Sequence, residues 1–142
     1  MPVLERVLEK NPDSVKLVFK HFPLRNHKFA RRASIASIAA GRQGKFWEFH
    51  DLLFKDYKRL NTQKVKEIAK QLNLDMEQFE RDQKDPELGK IINRDLSEGS
   101  RIGVRGTPTV FINGRLLRNR SQTGFQTMIE KTLKKEGTTQ GQ

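Results

Sequence analysis

Apolar residues recur along this chain at two spacings, one typical of helices and one typical of strands. Four of them fall on one stripe of a predicted helix over residues 1–10. Pro12 ends that helix, because proline cannot continue one. Residues 15–22 then alternate between apolar and mostly lysine positions, which predicts a strand with one apolar face, and Pro23 follows it.

The middle of the chain has the spacing of helices. Residues 26–60 form a helical region with an alanine-rich first half and a break near Gly44. Cap signals predict three more helices. Thr62 is the predicted N-cap of the first, and Asp75 with Gln78 caps the second. Asp85-Pro86 begins the third, which runs to Gly99.

A hairpin and a last helix are predicted near the C-terminus. Residues 109–112 and 115–117 read as short strands, joined by Asn113-Gly114, the strongest two-residue hairpin signal. Ser121 is a suitable N-cap for the final helix. Residues 137–142 are polar, and we expect a frayed tail there.

The chain is strongly basic, with a net charge of +11 and a mean hydropathy of −0.75. No stretch reaches the roughly 20 apolar residues that a membrane span requires. The N-terminus lacks a secretory signal, so a cytoplasmic location is expected for the chain as written. The basic residues are scattered along the helices beside acidic ones, and no aromatic residues interleave with them as a nucleic-acid stacking surface requires.

Candidate chemistry is sparse. There is no cysteine among the 142 residues, which excludes disulfides, thiolate metal sites and cysteine nucleophiles. The three histidines, His21, His27 and His50, have no partner at a recognised ligand spacing, so no metal site and no cofactor are expected. They read as surface or helix-packing residues.

Three stretches, in order, carry a family resemblance. They are residues 15–24 (VKLVFKHFPL), residues 43–51 (QGKFWEFHD) and residues 103–114 (GVRGTPTVFING). Together they resemble the DsbA-like branch of the thioredoxin superfamily, an α/β thioredoxin fold with a helical insertion. The resemblance implies a domain over residues 1–136, with an insertion at about residues 26–102 and a polar tail at 137–142.

The resemblance also bears on activity. The family is of thiol:disulfide oxidoreductases, usually extracytoplasmic, whose Cys-x-x-Cys opens a helix like the one at residues 1–10. The chain as written lacks that pair and the strand before it, so we expect an N-terminally truncated sheet and no redox activity. The family's proline loop implies a cis Thr107–Pro108 bond, although trans is commoner from local sequence alone.

Two alternatives to a redox-inactive family member stay open. One is a peptide-binding module in which, by resemblance, Thr107 and Pro108 meet an extended or unfolded peptide. Val104, Arg105 and Gly106 would shape the approach. The other is a basic nucleic-acid-associated protein. Because the open sheet edge would leave backbone groups unpaired, we also expect a homodimer through that edge.

Overall fold

The computed structural model describes residues 2–140, with side chains as far as Gly137. Its elements in chain order are α1 (Pro2–Lys10), α2 (Ala30–Gly41), α3 (Phe46–Lys55), a 3₁₀ turn (Tyr57–Arg59), α4 (Thr62–Gln71), α5 (Met76–Gln83), α6 (Pro86–Arg101), β1 (Phe111–Ile112), β2 (Arg115–Leu116) and α7 (Gln122–Gln140). No helix of this part of the chain is long and apolar enough to cross a membrane.

The chain divides into two compact units. The terminal unit consists of Met1–Phe19 with Gly106–Gln142, and the middle unit is Lys20–Arg105. The predicted helical insertion, residues 26–102, falls within the middle unit. Met1, at the start of the first predicted helix, lies outside the described residues, as do residues 141 and 142 of the predicted tail.

The middle unit is built around the alanine-rich helix α2. Ala36, Ala39 and Ala40 are completely buried, and their small side chains let α3, α5 and α6 pack against α2. Phe49 of α3 and Phe79 of α5 fill the space between these helices, with ring centroids 5.7 Å apart. The 3.6-residue periodicity of the sequence is therefore explained by one helical core.

Two of the three predicted caps of the middle unit are confirmed. Asp75 accepts a hydrogen bond from the Gln78 amide at 3.0 Å, and Asp85 accepts one from the Glu87 amide at 2.9 Å. The third prediction was wrong by one residue: the N-cap of α4 is Asn61, not Thr62. Both side chains can cap, and asparagine is the better of the two.

The terminal unit packs α1 against α7 and the hairpin. Its core consists of Val7, Leu117, Phe125 and Ile129. In the hairpin β1 and β2 pair antiparallel, and Asn113-Gly114 forms the predicted turn with both φ angles positive.

The start of α7 is fixed by short contacts. Ser121 caps the helix through its hydroxyl, which accepts the Gly124 amide at 3.1 Å. A Cβ at Gly124 would lie 2.1 Å from the Asn119 carbonyl oxygen, so only glycine fits this first turn. The helix continues to Gln140, where we expected a frayed tail from Gly137.

The predicted strand at residues 15–22 was wrong as secondary structure. Val15, Leu17 and Phe19 are half-buried while Lys16 and Val18 are exposed, so the alternation itself is present. A segment is a β-strand, however, only when its backbone pairs by hydrogen bonds with a neighbouring strand. Within residues 2–140 the sheet consists of β1 and β2 alone, and neither pairs with this segment.

Candidate peptide-binding loop

The Thr-Pro loop, residues 106–109 of the terminal unit, is held by hydrogen bonds to two of its carbonyl groups. The Thr107–Pro108 peptide bond is cis, as the resemblance implies. The Thr109 hydroxyl donates a hydrogen bond to the Gly106 carbonyl at 2.6 Å, and Nη1 of Arg120 donates a very short one to the Pro108 carbonyl. Thr107 and Pro108 are exposed. The loop therefore presents a braced backbone to solvent.

The backbone of Thr107 is the open part of this loop. The carbonyls before and after it, of Gly106 and Pro108, are both hydrogen-bonded. Within the part of the chain that the structure describes, the amide and the carbonyl of Thr107 have no hydrogen-bond partner. One donor and one acceptor are thus available on an exposed residue, which is the arrangement that an extended peptide can pair with.

The hairpin supports the loop from the C-terminal side. Val110 follows it directly, and the Val110 carbonyl accepts a hydrogen bond from the Leu117 amide at 2.9 Å, which extends the pairing of β1 and β2 by one step. Val110 and Ile112 pack on the core that contains Leu117. Because the segment after Pro108 is anchored, the loop is set on a packed base rather than on a free chain.

The five residues predicted for the site do not all belong to one unit. Gly106, Thr107 and Pro108 are part of the terminal unit, whereas Val104 and Arg105 close the middle unit. There, the Val104 amide donates to the Gly99 carbonyl at 2.9 Å after α6 ends, and Val104 is half-buried while Arg105 is exposed. A role for these two residues at the loop stays a prediction.

A second stretch of open backbone lies in the terminal unit, at residues 16–18. Lys16, Leu17 and Val18 make no backbone–backbone hydrogen bond within residues 2–140, and Val18 is 63% exposed. Val15, at the start of this segment, packs on the same core as Val110 and Ile112. One face of the segment is therefore anchored while its backbone stays open.

Sequence reasoning did not single out Arg120. Arg120 lies twelve residues after Pro108, beyond the hairpin, and its contact is to a backbone oxygen. No local pattern marks such a contact. The hairpin signal, which brings the two segments back toward each other, is the only hint that the sequence offers.

The middle unit holds a buried polar cluster. Asp95 of α6 is buried, and its Oδ2 accepts a hydrogen bond from the His21 amide at 2.9 Å. His21 and His50 are also buried, which the sequence reading of surface or helix-packing histidines left open. Asp95 was missed, although its spacing from Leu88 and Ile92 places it on the apolar face of α6.

The environment of this cluster shifts the pKa of His21. Burial lowers the pKa of His21 from the usual 6.5; the Asp95 carboxylate opposes that shift, and nearby His50 adds to it. His50 Nδ1 lies 3.1 Å from Asp51 Oδ1, and its ring lies 4.5 Å from that of Phe54. Among the described residues, no group of three or more histidine, aspartate or glutamate side chains could hold a metal ion.

Comparison with known proteins gives the family. The thioredoxin family profile matches residues 2–131. The probable disulfide bond formation protein D of Bacillus anthracis is 30% identical over 148 residues, covering 94% of this chain and 65% of that protein. A solved thioredoxin-like oxidoreductase from Silicibacter pomeroyi superposes with a TM-score of 0.84 at 27% identity, over 94% of this chain and 77% of that one.

Longer proteins contain a similar segment. The Na(+)/H(+) antiporter NhaA 3 of Salinispora tropica is 38% identical over 103 residues, which is 72% of this chain and 16% of the antiporter. The chain thus spans about a sixth of the antiporters that it matches. The disulfide bond formation protein and the solved oxidoreductase are consistent with the DsbA-like branch. With the fold, the Thr-Pro loop and these relatives in agreement, the chain belongs to the thioredoxin family.

Proposed function

We propose that this oxidoreductase-family domain binds extended peptide segments at the Thr107 backbone and performs no thiol–disulfide exchange itself. Exchange requires a thiolate that attacks a disulfide sulfur, and none of the 142 residues can supply one. Any redox step in which the domain takes part must therefore use cysteines outside these residues.

The observation that carries the proposal is the open backbone of Thr107 between two hydrogen-bonded carbonyls. An extended peptide that pairs there replaces water at the amide and the carbonyl of Thr107, on a loop that is already ordered. The entropy cost of fixing the loop is then small. The backbone of residues 16–18, which makes no backbone–backbone hydrogen bond within residues 2–140, is a second place at which an extended strand could pair.

Titration of a fluorescent, cysteine-free, extended peptide followed by anisotropy tests this proposal. We expect a dissociation constant between about 1 µM and 1 mM, because only a few backbone hydrogen bonds and little buried area contribute. Replacing Thr107 with proline removes the amide donor and should weaken binding roughly 2- to 12-fold. Replacing Thr107 with alanine keeps the backbone groups and should leave binding unchanged.

Two results would contradict the proposal. One is the absence of binding by the wild-type chain at millimolar peptide, which requires no variant to fold. The other is an equal loss in both Thr107 variants, which would assign binding to the hydroxyl instead of the backbone. A parallel titration with single-stranded DNA at two salt concentrations covers the nucleic-acid alternative, which the family relationship does not favour.

The homodimer predicted from the sequence remains a separate proposal. The backbone of residues 16–18 supports it, because it makes no backbone–backbone hydrogen bond within residues 2–140 and an open edge is a template for another chain. Light scattering at micromolar concentration tests it directly. A dimer is expected, and a folded monomer that resists dilution would overturn it while leaving peptide binding at Thr107 intact.

A further inference from the structure

Arg120 carries an unneutralised positive charge at the Thr-Pro loop. Its side chain is tied to the loop by the hydrogen bond from Nη1 to the Pro108 carbonyl. A guanidinium has five N–H donors, and that bond uses one of them. The edge formed by Nε and Nη2 is left open, and it is the edge that can hold a carboxylate with two parallel hydrogen bonds.

No salt bridge of Arg120 is present among the described residues of the terminal unit. Among the residues that the structure describes, Arg120 forms no salt bridge within 4.0 Å. Two acidic residues of α7 have hydrogen bonds elsewhere, Glu130 with Gln126 at 3.2 Å and Glu136 with Asn113 at 2.8 Å. A cation that is held by a backbone oxygen and has no acidic partner among the described residues is suited to an external anion.

The position of the charge relates it to a bound peptide. Arg120 contacts Pro108, which directly follows Thr107, so the guanidinium lies one residue from the open backbone groups. An extended chain advances about 3.3 Å per residue. A glutamate or aspartate one or two positions from the peptide residue that pairs with Thr107 therefore comes within reach of Arg120.

We propose that Arg120 makes the loop selective for extended peptides that carry an acidic side chain close to the residue paired with Thr107. This inference rests on peptide binding as proposed above and adds the class of sequence that is bound. The Arg120 guanidinium would then form both interactions: it holds the Pro108 carbonyl and it binds the carboxylate of the peptide.

The test uses pairs of cysteine-free peptides that differ by glutamate or glutamine at one position, scanned along the peptide, with anisotropy as the readout. The quantity compared is the ratio of the two affinities, which a general loss of loop structure would not change. At one or two adjacent positions in 50 mM NaCl, we expect glutamate to bind about two- to fivefold more tightly, the range of an exposed ion pair. In 500 mM NaCl the ratio should approach one.

Variants locate the effect. Arg120→Gln should bring the ratio to one at low salt even where it also weakens both peptides, and Arg120→Lys should keep part of the preference. Arg118→Gln removes an equally exposed charge that has no hydrogen bond to the loop in the described structure, and should keep the full ratio.

The failures are distinguishable. Equal binding of both peptides at every position, or a preference that survives Arg120→Gln, would overturn the selectivity and leave peptide binding standing. Loss of the preference in Arg118→Gln to the same extent would also overturn it, because the effect would then belong to the general basic charge. If neither peptide binds, the proposed function fails and the inference fails with it.

Discussion

Replacing Asp95 with alanine removes the acceptor of a buried hydrogen bond in the middle unit. Oδ2 of Asp95 accepts the His21 amide at 2.9 Å, and this bond joins the extended entry of the unit to helix α6. Among the described residues Oδ1 has no hydrogen-bond partner, and Nζ of Lys20 and Nε of Arg94 each lie 3.9 Å from it. In the alanine variant the buried His21 amide loses this acceptor.

The expected cost follows from that amide. A buried donor left without a partner costs about 1–3 kcal/mol, and the loss of the unpaired Oδ1 offsets part of the total. We expect the free energy of unfolding to fall by roughly 1–3 kcal/mol, which corresponds to about 3–10 °C in Tm for a chain of this size. Asp95→Asn keeps an acceptor oxygen in the same place and should lose clearly less than Asp95→Ala.

Urea unfolding followed by tryptophan fluorescence measures the change in the free energy of unfolding of the middle unit. The chain has one tryptophan, Trp47 in α3, so the signal reports the middle unit. Glu98→Gln is the surface control. It removes a 3.3 Å pair with Lys20 at an exposed position, which should matter by less than about 1 kcal/mol.

The reasoning would be refuted in either of two ways. If Asp95→Ala unfolds at the same urea concentration as the wild type, the His21 amide is not stabilised by this carboxylate. If Asp95→Asn is as destabilised as Asp95→Ala, the negative charge, not the hydrogen bond, is what the site requires.

Three more predictions concern pH and packing. Burial lowers the pKa of His21 in the folded state, so the unfolded chain binds a proton more readily; the stability measured by urea unfolding should therefore fall as the pH drops below 6.5. Gly124→Ala should lower the Tm measured by circular dichroism, because its Cβ would meet a backbone oxygen at 2.1 Å, while Gly137→Ala on the same helix has open space and should not. Phe79→Ala, at a fully buried ring, should cost about 3–5 kcal/mol in urea unfolding, and a loss below 1 kcal/mol would contradict the described core.

The helices were predictable because their signals are local. Apolar spacing located the helical core. The caps at Asp75, Asp85 and Ser121 accept hydrogen bonds from amides that are at most three residues further along the chain. The Asn113-Gly114 turn was predictable for the same reason, since it needs only two residues with positive φ. Such features depend on neighbours in sequence, which a sequence displays directly.

What the sequence could not supply depends on distant partners. The segment at residues 15–22 has the alternation of a strand, but pairing requires a neighbouring strand that the pattern cannot guarantee. The bonds of Arg120 to Pro108 and of Asp95 to His21 join residues 12 and 74 positions apart. In both bonds one partner is a backbone group. Backbone groups do not depend on the type of side chain, so the sequence does not mark them as partners.

The claim that the domain retains the family's loop without the family's chemistry is tested most directly by insulin reduction with dithiothreitol, followed as turbidity. The account predicts that adding the chain leaves the rate of precipitation equal to that of dithiothreitol alone at every protein concentration. An acceleration proportional to the concentration of the chain, in a preparation shown by mass spectrometry to contain no cysteine-bearing protein, would contradict it.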